Sequence, residues 1–367
     1  MDQNDIVIIT GSSGLIGNPT VKRLASHCRV VGFDRRGSPH PRPEAECVCV
    51  DVTDDESVRA GFARVRYAYG PRIAAVIHLA AYYDFSGEPS SQYEEVTVRG
   101  TERLLRALQA FDVGLFVFSS TMLVHAPCLP GQRIDEGWPL EPKWDYPKSK
   151  VITEQVVHAE RGQIPSVILR IAGVYNDHCH SIPLAQQIQR IAERKLTGHI
   201  FPGDITHGQA FVHLDDLVEA VSFTVDRRST LPPETVLLIG ESVTLSYDEL
   251  QRSFGRLIHN EEWETREIPK SVAKAGAWLE NHVPGETPFI KPWMIDLADD
   301  HYALDVSRAQ ELIKWSPARS LGQTLPKMIE FLKADHHGFY SENKLDAAGA
   351  GSDKRSTASE SEVAHDG

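Results

Sequence analysis

The sequence has no apolar run near the roughly 20 residues that a membrane-spanning helix needs. Its apolar stretches, such as 6–9 and 74–83, are short, and the second holds His78. Cysteine is scarce and unpatterned. Cys28, Cys47, Cys49, Cys128 and Cys179 are odd in number and form no CxxC pair, so reduced thiols are expected rather than a disulfide framework. The start, Met1-Asp2-Gln3-Asn4-Asp5, has no basic segment and no apolar segment behind it. The expectation is a cytoplasmic protein. Positive charge is in deficit: 38 Lys and Arg against 51 Asp and Glu give a net charge of −13. That balance argues against non-specific nucleic-acid binding and against adhesion to an anionic membrane. A small-molecule site, which needs one or two local cations, stays open.

What is present is an ordinary globular composition. The 367 residues suggest two domains, or one large domain with an appendage. Short β-branched or apolar runs at 5–10, 29–33, 46–50, 74–79, 115–119 and 166–171 read as strands. Helical stretches at 15–27, 54–66, 91–111 and from Tyr146 alternate with them. Such alternation predicts an α/β fold, a Rossmann-type doubly wound parallel sheet. Residues 1–173 are expected to form this domain. Residues 174–344 form a smaller, mostly helical lobe partly threaded back to it. Residues 345–367 have almost no large apolar side chain and read as a disordered tail.

After the first strand comes Thr10-Gly11-Ser12-Ser13-Gly14-Leu15-Ile16-Gly17. Glycines spaced G-x-x-G-x-x-G between a strand and a helix permit a tight turn, close approach of a pyrophosphate, and close helix packing. The helix start supplies N–H groups and a positive dipole end for the phosphates. Seventeen residues after Gly17, Asp34 ends the second strand. A carboxylate there accepts from ribose hydroxyls and repels a 2′-phosphate, favouring NAD over NADP. Arg35 and Arg36 are the residues that could hold a 2′-phosphate instead.

Tyr146 and Lys150 lie four apart at a helix start, hence on one face. A nearby ammonium is expected to lower the tyrosine pKa toward working pH. Such a tyrosine can exchange a proton with a substrate oxygen while a nicotinamide exchanges hydride. A second Y-x-x-x-K match, Tyr340 and Lys344, lies next to the tail and reads as chance. Ser119-Ser120-Thr121 ends the strand that precedes Tyr146. A hydroxyl just past that strand end faces the same crevice.

These motifs, taken in order, resemble those of the extended short-chain dehydrogenases/reductases, in the NAD-dependent epimerase/dehydratase group. The match includes Asp51-Val52, His78-Leu79-Ala80-Ala81, Val98-Arg99-Gly100-Thr101, Leu169-Arg170, Phe211-Val212-His213 and Trp315-Ser316-Pro317. The resemblance implies Asp51 and Val52 at the adenine, and Leu79, Ala80 and Ala81 along the cofactor ribose. It implies Thr121, Tyr146 and Lys150 as catalytic residues, with Tyr146 and Lys150 also at the cofactor, Lys150 on the nicotinamide ribose, and Ser119 beside it. It further implies a homodimer through the 91–111 and 146–161 helices, and no metal. Tyr82, Phe85, Thr121, Met122 and Asn176 are the candidate substrate contacts. His178, Cys179 and His180 read as a polar loop at the substrate mouth.

Five positions depart from the family pattern. Thr97 stands for Asn, Ile171 for Pro, and Gln209 for the Arg that holds a nucleotide diphosphate. Met122-Leu123 replace the Asp-Glu pair of the dehydratases, which argues against dehydration. Arg190 and Arg194 are the remaining candidate cations for a nucleotide. Three functions stand open: sugar epimerisation through a keto intermediate, net oxidation or reduction of a ketone, aldehyde or hydroxysteroid-like substrate, and a silent NAD-sensing scaffold.

Overall fold

The computed structural model describes residues 2–35, 45–84, 87–280 and 292–345. Arg36, Phe85, residues 281–291 and the stretch from 346 onward lie outside the described residues. The chain forms two compact units. The first joins Met1–Tyr175, Thr206–Ser246 and Asp300–Gln323. The second joins Asn176–Ile205, Tyr247–Asp299 and Thr324–Gly367.

Seven strands build the main sheet of the first unit: β1 Ile6–Thr10, β2 Arg29–Asp34, β3 Ala45–Cys49, β4 Ala75–His78, β5 Phe116–Thr121, β6 Ser166–Ile171 and β7 Glu234–Ile239. They lie in the order β7-β6-β5-β4-β1-β2-β3, and every pair is parallel. The order reverses between β1 and β4, where Thr10 pairs with His78. At such a switch point a crevice opens beyond the carboxyl ends of the strands. The strand near 235–239, read from sequence as part of the later lobe, is instead an outer strand of this sheet beside β6.

Both faces of the sheet are covered, which is why its strands read as continuous apolar runs. Val7, Ile9, Ile77, Val117 and Leu169 point to one face and pack with α1, Gly17–Leu24, and the helix Leu214–Asp226. Ile6, Ile8, Phe33, Val76, Phe116 and Phe118 point to the other. There they meet α2, Asp55–Tyr69, α3, Gly100–Leu108, and α4, Asp145–Glu160. Asp54 starts α2 by accepting from the N–H groups of Glu56 and Ser57, a normal N-cap.

The long helix expected over 91–111 is two elements, a π-helical turn Tyr93–Arg99 followed by α3. The Gly100 N–H reaches back five residues to the Glu95 carbonyl. Its missing side chain is needed, since a Cβ there would sit 2.9 Å from Val52 Cγ2.

In the second unit, helix Ile182–Ala192 meets helix Tyr247–His259, with Gln251 donating to Gln187 Oε1 over 3.2 Å. Trp263 is buried and its indole N–H donates to Gly198 O over 2.8 Å. Among the described residues, no helix is long and apolar enough to cross a membrane.

Candidate active site

The glycine loop follows β1 at the switch point. Gly11 has φ +66°, and a Cβ there would press on the backbone of Leu79 and Ala80 at 3.0–3.2 Å. A Cβ on Gly17 would stand 2.1 Å from Gly11 O, so α1 can start against the loop only with glycine. Around a Cβ placed on Gly14, the sole neighbour within 4 Å is Gly11 O at 3.3 Å. That open surface lies beside a helix N-terminus, next to Leu15 and Ile16, where N–H groups and the positive dipole end can take an anion. The Ser13 amide and hydroxyl both donate to Asp34 Oδ2, over 3.0 and 2.7 Å. Ser13 thus braces Asp34, whose second oxygen stays available for a ribose.

Asp51 and Val52 follow β3. Asp51 Oδ1 accepts from the Thr53 amide and hydroxyl over 2.9 and 2.7 Å. Its carboxyl is held below the usual range because these bonds and the Arg35 and Arg103 charges outweigh burial. Arg35 is exposed, and its carbonyl accepts from the Cys49 thiol over 3.0 Å.

Beyond β4 the sequence hid a polar junction. Thr10 Oγ1 lies 2.7 Å from His78 Nδ1 and accepts from the Leu79 and Ala80 amides over 3.2 and 3.1 Å. His78 Nε2 lies 2.9 Å from Thr101 Oγ1, which donates to Thr97 O over 2.6 Å. Burial and the Lys150 charge push His78 down to about 3, so it is neutral. Ala81 follows, half-buried, with Tyr82 behind it.

The catalytic candidates converge. Thr121 closes β5 beside Tyr146, which lies at the start of α4, and the Thr121 hydroxyl acts on the Tyr146 phenol. One turn on, Lys150 is buried and donates to the Ser119 carbonyl over 2.7 Å. Its ammonium stands 4.9 Å from the Phe118 ring centre and 5.8 Å from that of Tyr146. The Ser119 hydroxyl is committed to His78 O over 3.1 Å. Met122 is buried just beyond Thr121.

The pKa shift of Tyr146 is opposite to the sequence expectation. Burial, reinforced by the Tyr83 phenol, pushes Tyr146 up, and the Thr121 hydrogen bond opposes this only in part. Lys150 is itself pushed down to about 7 by burial, with Glu154 opposing. Packing withdraws water from both groups, and that outweighs their mutual effect.

Glu154 anchors α4. It accepts from Ser120 Oγ over 2.5 Å and pairs with Arg170 through bonds of 3.1 and 2.7 Å. Arg170 also donates to His125 Nε2 and Glu136 O, each over 3.1 Å. All of Ser120, His125, Glu154 and Arg170 are buried.

Two aromatic residues flank Tyr146 that the sequence reading did not single out as contacts. Tyr83 meets it edge-on at 4.9 Å and 78°, and Trp144 lies 5.4 Å away. Tyr82 turns instead to Tyr93, at 4.8 Å. Aromatic residues in the segments just outside β4 and α4 were the available signal. Phe85 is outside the described residues.

Asn176 belongs to the second unit, where its side-chain oxygen accepts from the His178 amide over 2.9 Å and meets His180 Nδ1 at 3.0 Å. His178 and His180 both face Glu342, at 3.0 and 3.5 Å. Arg194 lies past the helix end and is paired with Glu261 over 3.0 and 3.1 Å, so it is not a spare cation for a nucleotide. The other Y-x-x-x-K tyrosine, Tyr340, donates to Glu193 over 2.7 Å. Gln209 pairs with Tyr302 in an isolated bridge within the first unit.

A parallel sheet with a glycine cradle at its switch point and a Thr-Tyr-Lys cluster beside it defines a nicotinamide-dependent enzyme of the extended short-chain dehydrogenase/reductase class. The sequence profile of the NAD dependent epimerase/dehydratase family matches residues 7–240, and the chain belongs to that family. It is 29% identical over 248 residues to a UDP-glucose 4-epimerase of Rhizobium leguminosarum bv. trifolii, covering 59% of this chain and 71% of that one. It is 28% identical over 203 residues to a 3 beta-hydroxysteroid dehydrogenase/Delta 5-->4-isomerase of Mycobacterium tuberculosis, covering 53% and 52%. For several such relatives the matched stretch spans only about half of their length, 46% and 52% in two cases. The fold matches a UDP-glucuronic acid 4-epimerase from Bacillus cereus, solved with UDP-glucuronic acid and NAD, at TM-score 0.67 and 20% identity over 90% of this chain and 99% of that one.

Proposed function

We propose that the first unit oxidises and reduces a secondary alcohol with Tyr146 as the proton-transfer group. The observation that carries this reading is the convergence of Thr121, Tyr146 and Lys150 at the carboxyl edge of β5. The loop residues Gly11, Gly14, Leu15, Ile16 and Gly17 would hold the NAD pyrophosphate. Asp34 would take the adenosine ribose, Asp51 and Val52 the adenine. Leu79, Ala80, Ala81 and Lys150 would hold the remainder. When bound, NAD supplies hydride exchange at carbon. The chain manages the proton. A tyrosine kept protonated by burial can donate to a keto oxygen, and the Thr121 hydroxyl can orient that oxygen.

The substrate is a sugar or sugar derivative, epimerised through its keto form. Support comes from the family and from the named 4-epimerase relative. A second reading is net dehydrogenation of a less polar alcohol, such as a hydroxysteroid. Gln209 in place of a cation and the Tyr83 and Trp144 rings beside Tyr146 favour it. A cytoplasmic homodimer through the 91–111 and 146–161 helices belongs to the same proposal, supported by Ile152 standing exposed on α4.

The test is to offer the NAD-loaded protein UDP-glucose, UDP-glucuronic acid and a 3β-hydroxysteroid. Appearance of an epimer without net NADH supports the first reading. NADH absorbance with the steroid supports the second. No reaction with any of the three would remove both substrate classes.

A further inference from the structure

Thr10, His78, Thr97 and Thr101 are all fully buried, and their partners fix the protons of Thr10, His78 and Thr101. The Thr101 hydroxyl gives its hydrogen to Thr97 O, so toward His78 Nε2 it can only accept. His78 therefore carries its proton on Nε2. The Thr10 hydroxyl, already accepting from the Leu79 and Ala80 amides, donates to His78 Nδ1. At the far end Thr97 Oγ1 accepts from the Tyr82 amide over 3.0 Å. The π-helical turn that carries Thr97 also holds Tyr93, whose hydroxyl donates to Asp84 O over 3.0 Å. The segment from Tyr82 to Asp84 is thereby held at both ends, with Tyr83 between them against Tyr146.

Hydrogen bonds from the Leu79 and Ala80 amides thus reach the Thr97 carbonyl, and the Thr97 side chain carries the connection on to the Tyr82 amide. We propose that His78 and Thr97 are positioning residues that couple cofactor binding at residues 79–81 to the seating of the Tyr83 ring on Tyr146. The inference rests on the assignment of residues 79–81 to the cofactor. It goes beyond that assignment by giving the substrate side a dependence on it. The side chains that make these links are buried, so a shift at one end must be followed or broken at the other. Thr97 stands where the family pattern has Asn, and here its hydroxyl accepts from the Tyr82 amide. A purely structural network would hold Tyr83 equally well with and without cofactor.

The experiment places 3-fluorotyrosine at position 83 of the full chain and follows its fluorine resonance during NAD titration. NAD affinity is measured separately by calorimetry. The expected result is an NAD-dependent shift in the otherwise unaltered chain and in Thr97→Ser, which keeps the hydroxyl. Thr97→Val should bind NAD within about threefold of normal, because it touches nothing on the cofactor side, yet lose most of that shift. Thr101→Val breaks the same chain one link earlier and should behave alike, which keeps the test sound if one variant does not fold. A resonance unmoved by bound NAD, or an undiminished shift in the valine variants, overturns the coupling alone. Absence of NAD binding to the unaltered chain overturns the coupling and the cofactor assignment together.

Discussion

The Lys150 ammonium donates to the Ser119 carbonyl over 2.7 Å, and the Ser119 hydroxyl in turn donates to His78 O over 3.1 Å. This ties a catalytic candidate on α4 to the ends of two neighbouring strands. A lysine so placed needs a compact head group, since a guanidinium has a fixed planar fork. Lys150→Ala and Lys150→Arg should both lose turnover by roughly a hundredfold or more and weaken NAD binding several-fold. Steady-state rates with calorimetric NAD titration check this. A loss of rate with unchanged NAD affinity would show that Lys150 does not meet the ribose.

Asp34 is the residue proposed to set cofactor choice. Its Oδ2 is held by Ser13, and its other oxygen is free to meet a ribose hydroxyl. Asp34→Ala should narrow the preference for NAD over NADP by about tenfold or more, worth ~1.4 kcal/mol. Titrating both cofactors into both proteins measures it. Tighter NADP binding by the unaltered chain would refute the assignment.

The buried Arg170–Glu154 pair positions α4 on the sheet. Removing one partner leaves a buried charge uncompensated, at a cost of about 3–5 kcal/mol. Arg170→Met should therefore lower the urea midpoint strongly. Arg170→Met with Glu154→Leu should recover part of that loss. A double variant no more stable than Arg170→Met alone would contradict the desolvation argument.

Acid should destabilise the fold through its buried imidazoles. His78 is pushed down to about 3 and His125 to about 4, chiefly by burial, while an unfolded histidine titrates at about 6.5. The unfolded chain thus binds more protons between those values, and stability rises with pH across the interval. The contribution is complete above pH 6.5 and is lost as pH falls toward 4. Urea midpoints measured from pH 7 to 4.5 should fall steadily. His125→Gln should be less stable at pH 7 but show a shallower slope.

The glycine loop, the strands and Tyr146 with Lys150 were legible because each is a local pattern. Spacing reports a tight turn or a shared helix face without knowledge of the rest. What escaped is non-local. The tautomer of His78 depends on threonines from two other segments, Thr10 and Thr101. The contacts of Tyr83 and Trp144 with Tyr146 join three stretches of chain. The rise in the Tyr146 pKa follows from burial, to which residue spacing is blind. The π-helical turn shows no break in apolar periodicity, and β7 finds its partner β6 more than sixty residues back.

The central claim is that Tyr146 moves the proton and does not hold the cofactor. Tyr146→Phe keeps the ring between Tyr83 and Trp144 and removes only the hydroxyl. Single-turnover measurement on the NAD-loaded variant, with whichever substrate the unaltered chain accepts, tests it directly. The account predicts a rate lower by roughly a thousandfold or more, with NAD affinity within about twofold of normal. A variant that turns over at the normal rate would contradict it.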